Sequence, residues 1–205
     1  MIMDIRTAKV EDAEFISWAI LESSRAGKKH GLFDLIFSPS EDIAKSLEKL
    51  VTHEIKTICH YSNFLIAEID GKQAGALCGY DGYKISWENM SDALETMGCQ
   101  GDYKERISAF LLCEPEVEKN TIVLNFMITK EEFRGLGVVK ALVKKVLLTA
   151  RLKGFRKAQT DIEIGSIETQ LAYEKMGFSK KEEKKSDYYL EEFGRPGICS
   201  YVAEL

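Results

Sequence analysis

The stretch Thr121–Thr129 (TIVLNFMIT) constrains this chain most. Nine residues, nearly all apolar or β-branched, make a stable strand only if both faces are covered. Residues 133–139 (FRGLGVV) follow it with two glycines. Val139, Leu142, Val143, Val146, Leu147 and Ala150 then recur at steps of three and four, which predicts an amphipathic helix closed by Gly154. Covered strand, glycine loop and helix start bring unpaired N–H groups and the positive end of a helix dipole to one point. Glycine lets backbone approach a ligand there, so the loop suits a phosphate group. Two spaced glycines suit equally a loop that only turns a corner.

The flanking segments predict a mixed α/β chain. Residues 1–6 alternate as a short strand. Asp12 stands where it caps a helix with Phe15, Ile16, Ala19 and Ile20 on one face, ended by Gly27 and the basic group Lys28, Lys29, His30. Ser38, Pro39 and Glu41 form a capping box for a second helix with the stripe Ile43, Leu47, Leu50, Val51, Ile55 and Ile58. Runs at 63–69 and 73–80 around Asp70-Gly71 predict a hairpin. Residues 157–164 form a strand, Ser166 caps a short helix ending at Gly177, and two more strands fall near 178–184 and 198–204. An aromatic, acidic loop joins those last two, turning at residues 194–197. Lys180–Lys185 (KKEEKK) suits a solvated strand edge or a turn.

Residues 81–119 stand apart. Helices fit near 89–97 and 103–112, and nine acidic residues face four basic ones, which leaves 24 of each sign elsewhere. Most of the net charge of −5 is therefore local to this segment. Trp87, Phe110, Leu111 and Leu112 need a place in the core, so it is an insertion and not a linker. Without a basic stripe the acidic chain has no surface suited to nucleic acid. It has no uncharged apolar run near the ~20 residues that a membrane span requires. Acidic residues near the N-terminus argue against an export signal, and five scattered cysteines without a C-x-x-C pair suit reduced thiols, so a cytoplasmic location is expected. His53 and His60 share the predicted second helix, but H-E-x-x-H would need a histidine where Thr57 stands, so no metal is expected.

Three kinds of phosphate loop compete for residues 133–139. The string G-x-x-x-x-G-K-[ST] is absent, and a dinucleotide fingerprint would need a third glycine where Lys140 stands. The third kind is the pyrophosphate loop of acyl-CoA enzymes. Some thirty residues downstream comes Gln170-Leu-Ala-Tyr173-Glu-Lys-Met176-Gly177-Phe178. Arg134-Gly135-Leu136-Gly137 paired with Tyr173 to Phe178 at this spacing resembles the GNAT superfamily of acyl-CoA-dependent N-acyltransferases. The likeness covers most of the chain and implies one domain over residues 1–205. It implies a mostly antiparallel sheet flanked by helices and splayed at its central strand.

The resemblance further implies acetyl-CoA as acyl donor and a small-molecule amine as acceptor. Arg134, Gly135, Leu136, Gly137, Val138 and Val139 match its pyrophosphate loop. Met127, Ile128 and Thr129 match the strand end that pairs with the pantetheine arm. Tyr173 matches the position that donates a proton to the leaving thiolate. Val139 replaces the usual small residue and Ser166 the usual Asn; both keep a backbone donor for the cofactor. Residues 81–119 stand where the family has a short turn and are expected to form an acceptor-side lid, with carboxylates favouring a cationic amine. The general base stays open among Asp161, Glu163 and acidic residues of the insertion, since Asn125 can only hold a water. Acetylation of a protein N-terminus or lysine, and a non-catalytic acyl-CoA sensor, are the alternatives. Tyr188, Tyr189 and Phe193 suit a homodimer contact or a core equally well.

Overall fold

The computed structural model describes residues 2–37, 42–99 and 102–205. Its strands are β1 (Met3–Thr7), β2 (Phe64–Ile69), β3 (Lys72–Asp81), β4 (Thr121–Thr129), β5 (Lys157–Glu163), β6 (Ser179–Lys185) and β7 (Gly197–Glu204). They form one sheet in the order β1-β2-β3-β4-β5-β7-β6. Every neighbouring pair is antiparallel except β4 and β5. The apolar strand Thr121–Thr129 is thus central, and the charged β6 is an edge, where its lysines discourage further pairing.

Helices cover both faces. On one lie α1 (Ala13–Arg25), α2 (Leu32–Ile36), α3 (Ile43–Val51), α4 (Trp87–Thr96), α5 (Tyr103–Arg106), α6 (Ser108–Cys113) and α9 (Asp187–Phe193). On the other lie α7 (Val138–Leu152) and α8 (Ile167–Lys175). Phe15, Ile16, Ala19 and Ile20 of α1 are buried as their spacing predicts. The insertion is part of this core: Met90, Ala93, Leu94, Tyr103 and Ile107 are buried in it. The Arg106 guanidinium donates to the carbonyls of Leu35 (2.6 Å) and Ile36 (3.1 Å).

Several local expectations change, and one falls outside the described residues. Asp12 does stand before α1, but its carboxylate takes both guanidinium nitrogens of Arg6 (2.8 Å each), the Gln73 amide and the Lys9 N–H instead of capping. Helix α3 stops at Val51, because His53 Nδ1 accepts the Ile55 N–H (3.1 Å) in a tight turn. His53 and His60 therefore share no helix, while Ile55 and Ile58 still pack on the core. The expected capping box at Ser38, Pro39 and Glu41 lies outside the described residues. Residues 187–193 form α9 instead of a loop, since Tyr189 and Phe193, four apart, bury one face.

The key irregularity lies in β4. Phe126 has a left-handed backbone (φ 52°), and the pairing with β3 skips there, so Phe126 and Met127 oppose Leu77 alone. A left-handed aromatic residue is strained, and packing must hold it. The Phe126 ring stacks on Phe64 (6.1 Å between centroids, 9°) and tilts against Phe33 (5.9 Å). Gly75 closes the opposite side: a Cβ there would meet the Ile128 carbonyl oxygen at 2.6 Å and Val138 Cγ1 at 2.7 Å. Gly75→Ala is therefore expected to cost about 1–3 kcal/mol in urea unfolding.

Candidate active site

The bulge opens the sheet. Strands β4 and β5 pair only from Thr121 to Leu124 against Lys157 to Thr160. Beyond that point β4 keeps β3 and β5 keeps β7, and a gap separates the two centre strands. The Lys130 N–H donates to the Ala74 carbonyl (2.8 Å), so by the alternation of a strand Met127 and Thr129 turn their peptide groups into the gap. A cleft of about 1500 Å³ runs through it from one face of the sheet to the other.

One end is a cradle of backbone. Gly135 (φ 78°) and Gly137 (φ 81°) take left-handed conformations that lead into α7, and no side chain caps its first N–H groups. Ser166 stands before α8, but its hydroxyl makes no capping bond, so that end is open too. Arg134, Lys140 and Lys175 bring positive charge to this end. The residues singled out from the sequence that line the cleft are Met127, Ile128, Thr129, Arg134, Gly135, Gly137, Val138, Val139, Ser166 and Tyr173. Leu136 does not: its side chain is 39% exposed and lies outside the lining, because the two left-handed glycines turn it outward.

The opposite end is acidic and aromatic. Glu22, Glu114, Asp161 and Glu163 line it with Tyr80, Trp87 and Phe110. Within the insertion Glu114 is the acidic residue that reaches the lining; Glu95, Asp102 and Glu118 instead pair with Lys104, Arg106 and Lys157 on the surface. Asn125 Nδ2 reaches the Tyr80 hydroxyl (3.4 Å). Glu163 Oε1 accepts from Lys28 Nζ (2.5 Å) and from the Tyr189 hydroxyl (3.2 Å), a network that joins three distant segments. Of the aromatic cluster near the C-terminus, Tyr189 and Phe193 are buried here and Tyr188 stays on the surface.

Two titratable groups line the gap from opposite faces of β5. Tyr173 is buried edge-on against Phe178 (5.0 Å), on the face of β5 that carries Ala158, Thr160 and Ile162. Burial pushes its phenol up to about 12, so it keeps its proton at neutral pH. The next residue on the strand, Asp161, points to the acidic end. Burial pushes its carboxyl up to about 7, against the pull of the Gln159 amide (3.1 Å). Burial likewise raises Glu114, whose Oε1 accepts the Trp87 indole N–H (2.7 Å).

The sequence profile of the Acetyltransferase (GNAT) family matches residues 30–178. The chain belongs to the GNAT acetyltransferase family. Among solved structures, an acetyltransferase is similar over 98% of each chain at 19% identity, with a TM-score of 0.67. An N-acetyltransferase from Staphylococcus aureus Mu50 is 18% identical over 98% of this chain and 100% of its own, also with a TM-score of 0.67. The PaiA N-acetyltransferase from Thermoplasma acidophilum, in complex with coenzyme A, is 15% identical over the full length of both chains, with a TM-score of 0.56. No protein of curated function matches this chain in sequence.

This GNAT chain is thus an acyl-CoA-dependent acetyltransferase, with acetyl-CoA as donor. The residues present fit that donor: unpaired peptide groups edge the gap, and the cationic glycine cradle suits a pyrophosphate. Among the described residues no group of His, Cys, Asp and Glu is arranged to hold a metal, and no helix is long and apolar enough to cross a membrane. The Lys28–Glu163–Tyr189 network and the Trp87–Glu114 pair have no sequence signature, because their partners lie 135 and 27 residues apart in the pairs Lys28–Glu163 and Trp87–Glu114.

Asp161 makes stability depend on pH. Its folded-state value lies above the ordinary carboxyl value near 4. The folded state therefore holds an extra proton between about pH 4 and 7, and this contribution to stability is lost as pH rises through about 7. Urea unfolding at pH 5 and pH 8 checks it. Asp161→Asn should gain stability relative to the native chain between the two, and an unchanged difference would contradict the raised value.

Proposed function

We propose that the protein acetylates the primary amine of a small cationic molecule, using Asp161 as general base and Tyr173 as general acid. One observation carries this reading. Thr160, on the face of β5 that packs with Tyr173, and Asp161, on the other face, are consecutive residues, so a proton donor and a proton acceptor flank the gap from its two faces. Acetyl-CoA supplies an activated thioester carbonyl. Met127, Ile128 and Thr129 would hold its pantetheine arm through the unpaired edge of β4, and the loop from Arg134 to Val139 with Ser166 its phosphates.

The remaining chemistry belongs to side chains. An alkylammonium ion, with a pKa of about 10, must lose a proton before its nitrogen can attack. Asp161, titrating near neutrality, takes that proton directly or through a water held by Asn125. As the N–C bond forms and the C–S bond breaks, the Tyr173 phenol delivers its proton to the sulfur. The second proton that the nitrogen sheds on becoming the amide restores the phenol, while Asp161 returns its proton to solvent. The chain 1–205 acts as one domain, with residues 81–119 as the acceptor-side wall. Glu22 of α1, Trp87 of α4 and Phe193 of α9 crowd this end, which favours a small acceptor over a protein chain.

The test is release of free thiol from acetyl-CoA offered a panel of small amines and a lysine-containing peptide. Small amines should be turned over and the peptide poorly; a peptide better than every small amine would overturn the small-acceptor reading. Tyr173→Phe should lower kcat by about 10²-fold without changing the melting temperature by much. The native rate should climb with pH and level off above about 7 as Asp161 ionises, and Asp161→Asn should abolish that limb.

A further inference from the structure

The four carboxylates at the acceptor end are not equivalent. Glu163 is ion-paired with Lys28 (2.5 Å) and Glu22 with Arg25 (3.4 Å). Asp161 and Glu114 have no ion pair among the described residues: one accepts from the Gln159 amide (3.1 Å), the other from the Trp87 indole (2.7 Å). Lys184 comes near Glu114 but spends its ammonium on the backbone carbonyl (2.7 Å), not on the carboxylate. Half-buried carboxylates without an ion pair are costly, so two in one cleft need an explanation from what enters it.

Between and around them runs an aromatic wall. Trp87 meets Phe110 edge-on (5.7 Å between centroids), Phe110 meets Phe193 (6.4 Å), and Phe193 lies against Tyr189 (4.5 Å). All four rings line the cleft. Such a wall suits methylene groups and weakly hydrated cations, and it offers little to a hydroxyl-rich sugar.

We propose that the acceptor is an organic dication, a straight-chain diamine or polyamine, whose reacting nitrogen lies at Asp161 and whose distal ammonium lies at Glu114. Its hydrocarbon spacer lies along the rings of Trp87 and Phe110. Each positive group meets one of the two carboxylates that lack an ion pair, and each pairing favours the charged form of that carboxylate. Glu114 is a specificity residue in this arrangement, and it is the contribution of residues 81–119 to acceptor choice. The inference rests on the amine-acetylating reading of the same cleft.

The experiment compares three acceptors of equal chain length with acetyl-CoA: an alkyl monoamine, the α,ω-diamine and the ω-amino acid. Thiol release should favour the diamine over the monoamine in kcat/KM by about tenfold or more, mainly through KM, with the amino acid poorest. Glu114→Gln should shrink the diamine-to-monoamine ratio to near one. Equal use of diamine and monoamine by the native protein, or preference for the amino acid, overturns the dication; this comparison needs no variant to fold. A ratio that survives Glu114→Gln removes Glu114 from the role. Thiol release with none of the amines, despite binding of acetyl-CoA, is a different result, and it overturns the amine-acetylating reading itself.

Discussion

The stacking of Phe126 on Phe64 is the contact on which the rest depends. It holds one residue of the central strand in a left-handed conformation that costs on the order of 1–3 kcal/mol on its own. Because of that residue β4 bends away from β5 after four paired positions, and the middle of the sheet is left open. A regular strand there would have joined the two ladders and left no unpaired peptide edge. Gly75, opposite Thr129 just beyond the bulge, and Val138, at the start of α7, are packed so closely that the bulge, the glycine cradle and the helix form one unit.

The open gap then separates two electrostatic environments. On the α7 and α8 face stand backbone N–H groups and Arg134, Lys140 and Lys175, which suit the polyanionic end of acetyl-CoA. On the α1, α4 and α9 face stand carboxylates and rings. Strand β5 runs between them, and its alternation sends Thr160, with Tyr173, to one side and Asp161 to the other. The Tyr173 phenol and the Asp161 carboxyl are thereby kept apart by a single backbone, and burial on each side holds the phenol protonated and raises the carboxyl to near neutrality.

Much of this was legible along the chain. The hairpin at Asp70-Gly71, the apolar central strand, the helix from Val138 and the short helix containing Tyr173 all follow from local periodicity and turn residues. Errors came where tertiary contacts overrode local pattern. The stripe through Ile55 and Ile58 suggested a longer α3, but a His53 turn ends it and packing buries those residues anyway. Asp12 looked like a helix cap until Arg6 and Gln73, brought beside it by β1 and β3, took its carboxylate. The acidic excess of residues 81–119 suggested a lid full of carboxylates. Four of the nine (Asp81, Glu95, Asp102 and Glu118) instead meet lysines or an arginine at the surface, and Glu114 reaches the cleft.

By itself the sequence determined the order of elements, the central place of Thr121–Thr129, the two-glycine loop and the pairing of that loop with Tyr173. These are properties of short segments, in which spacing alone decides which face is apolar and where backbone can turn. Only the tertiary structure decided that Asp161 and Glu114 share a cavity, neither with an ion pair among the described residues, that Lys28 neutralises Glu163, and that Leu136 turns outward. Those facts depend on burial and on partners from distant segments. A carboxyl group's affinity for its proton, and hence its chemistry, follows from what surrounds it in space.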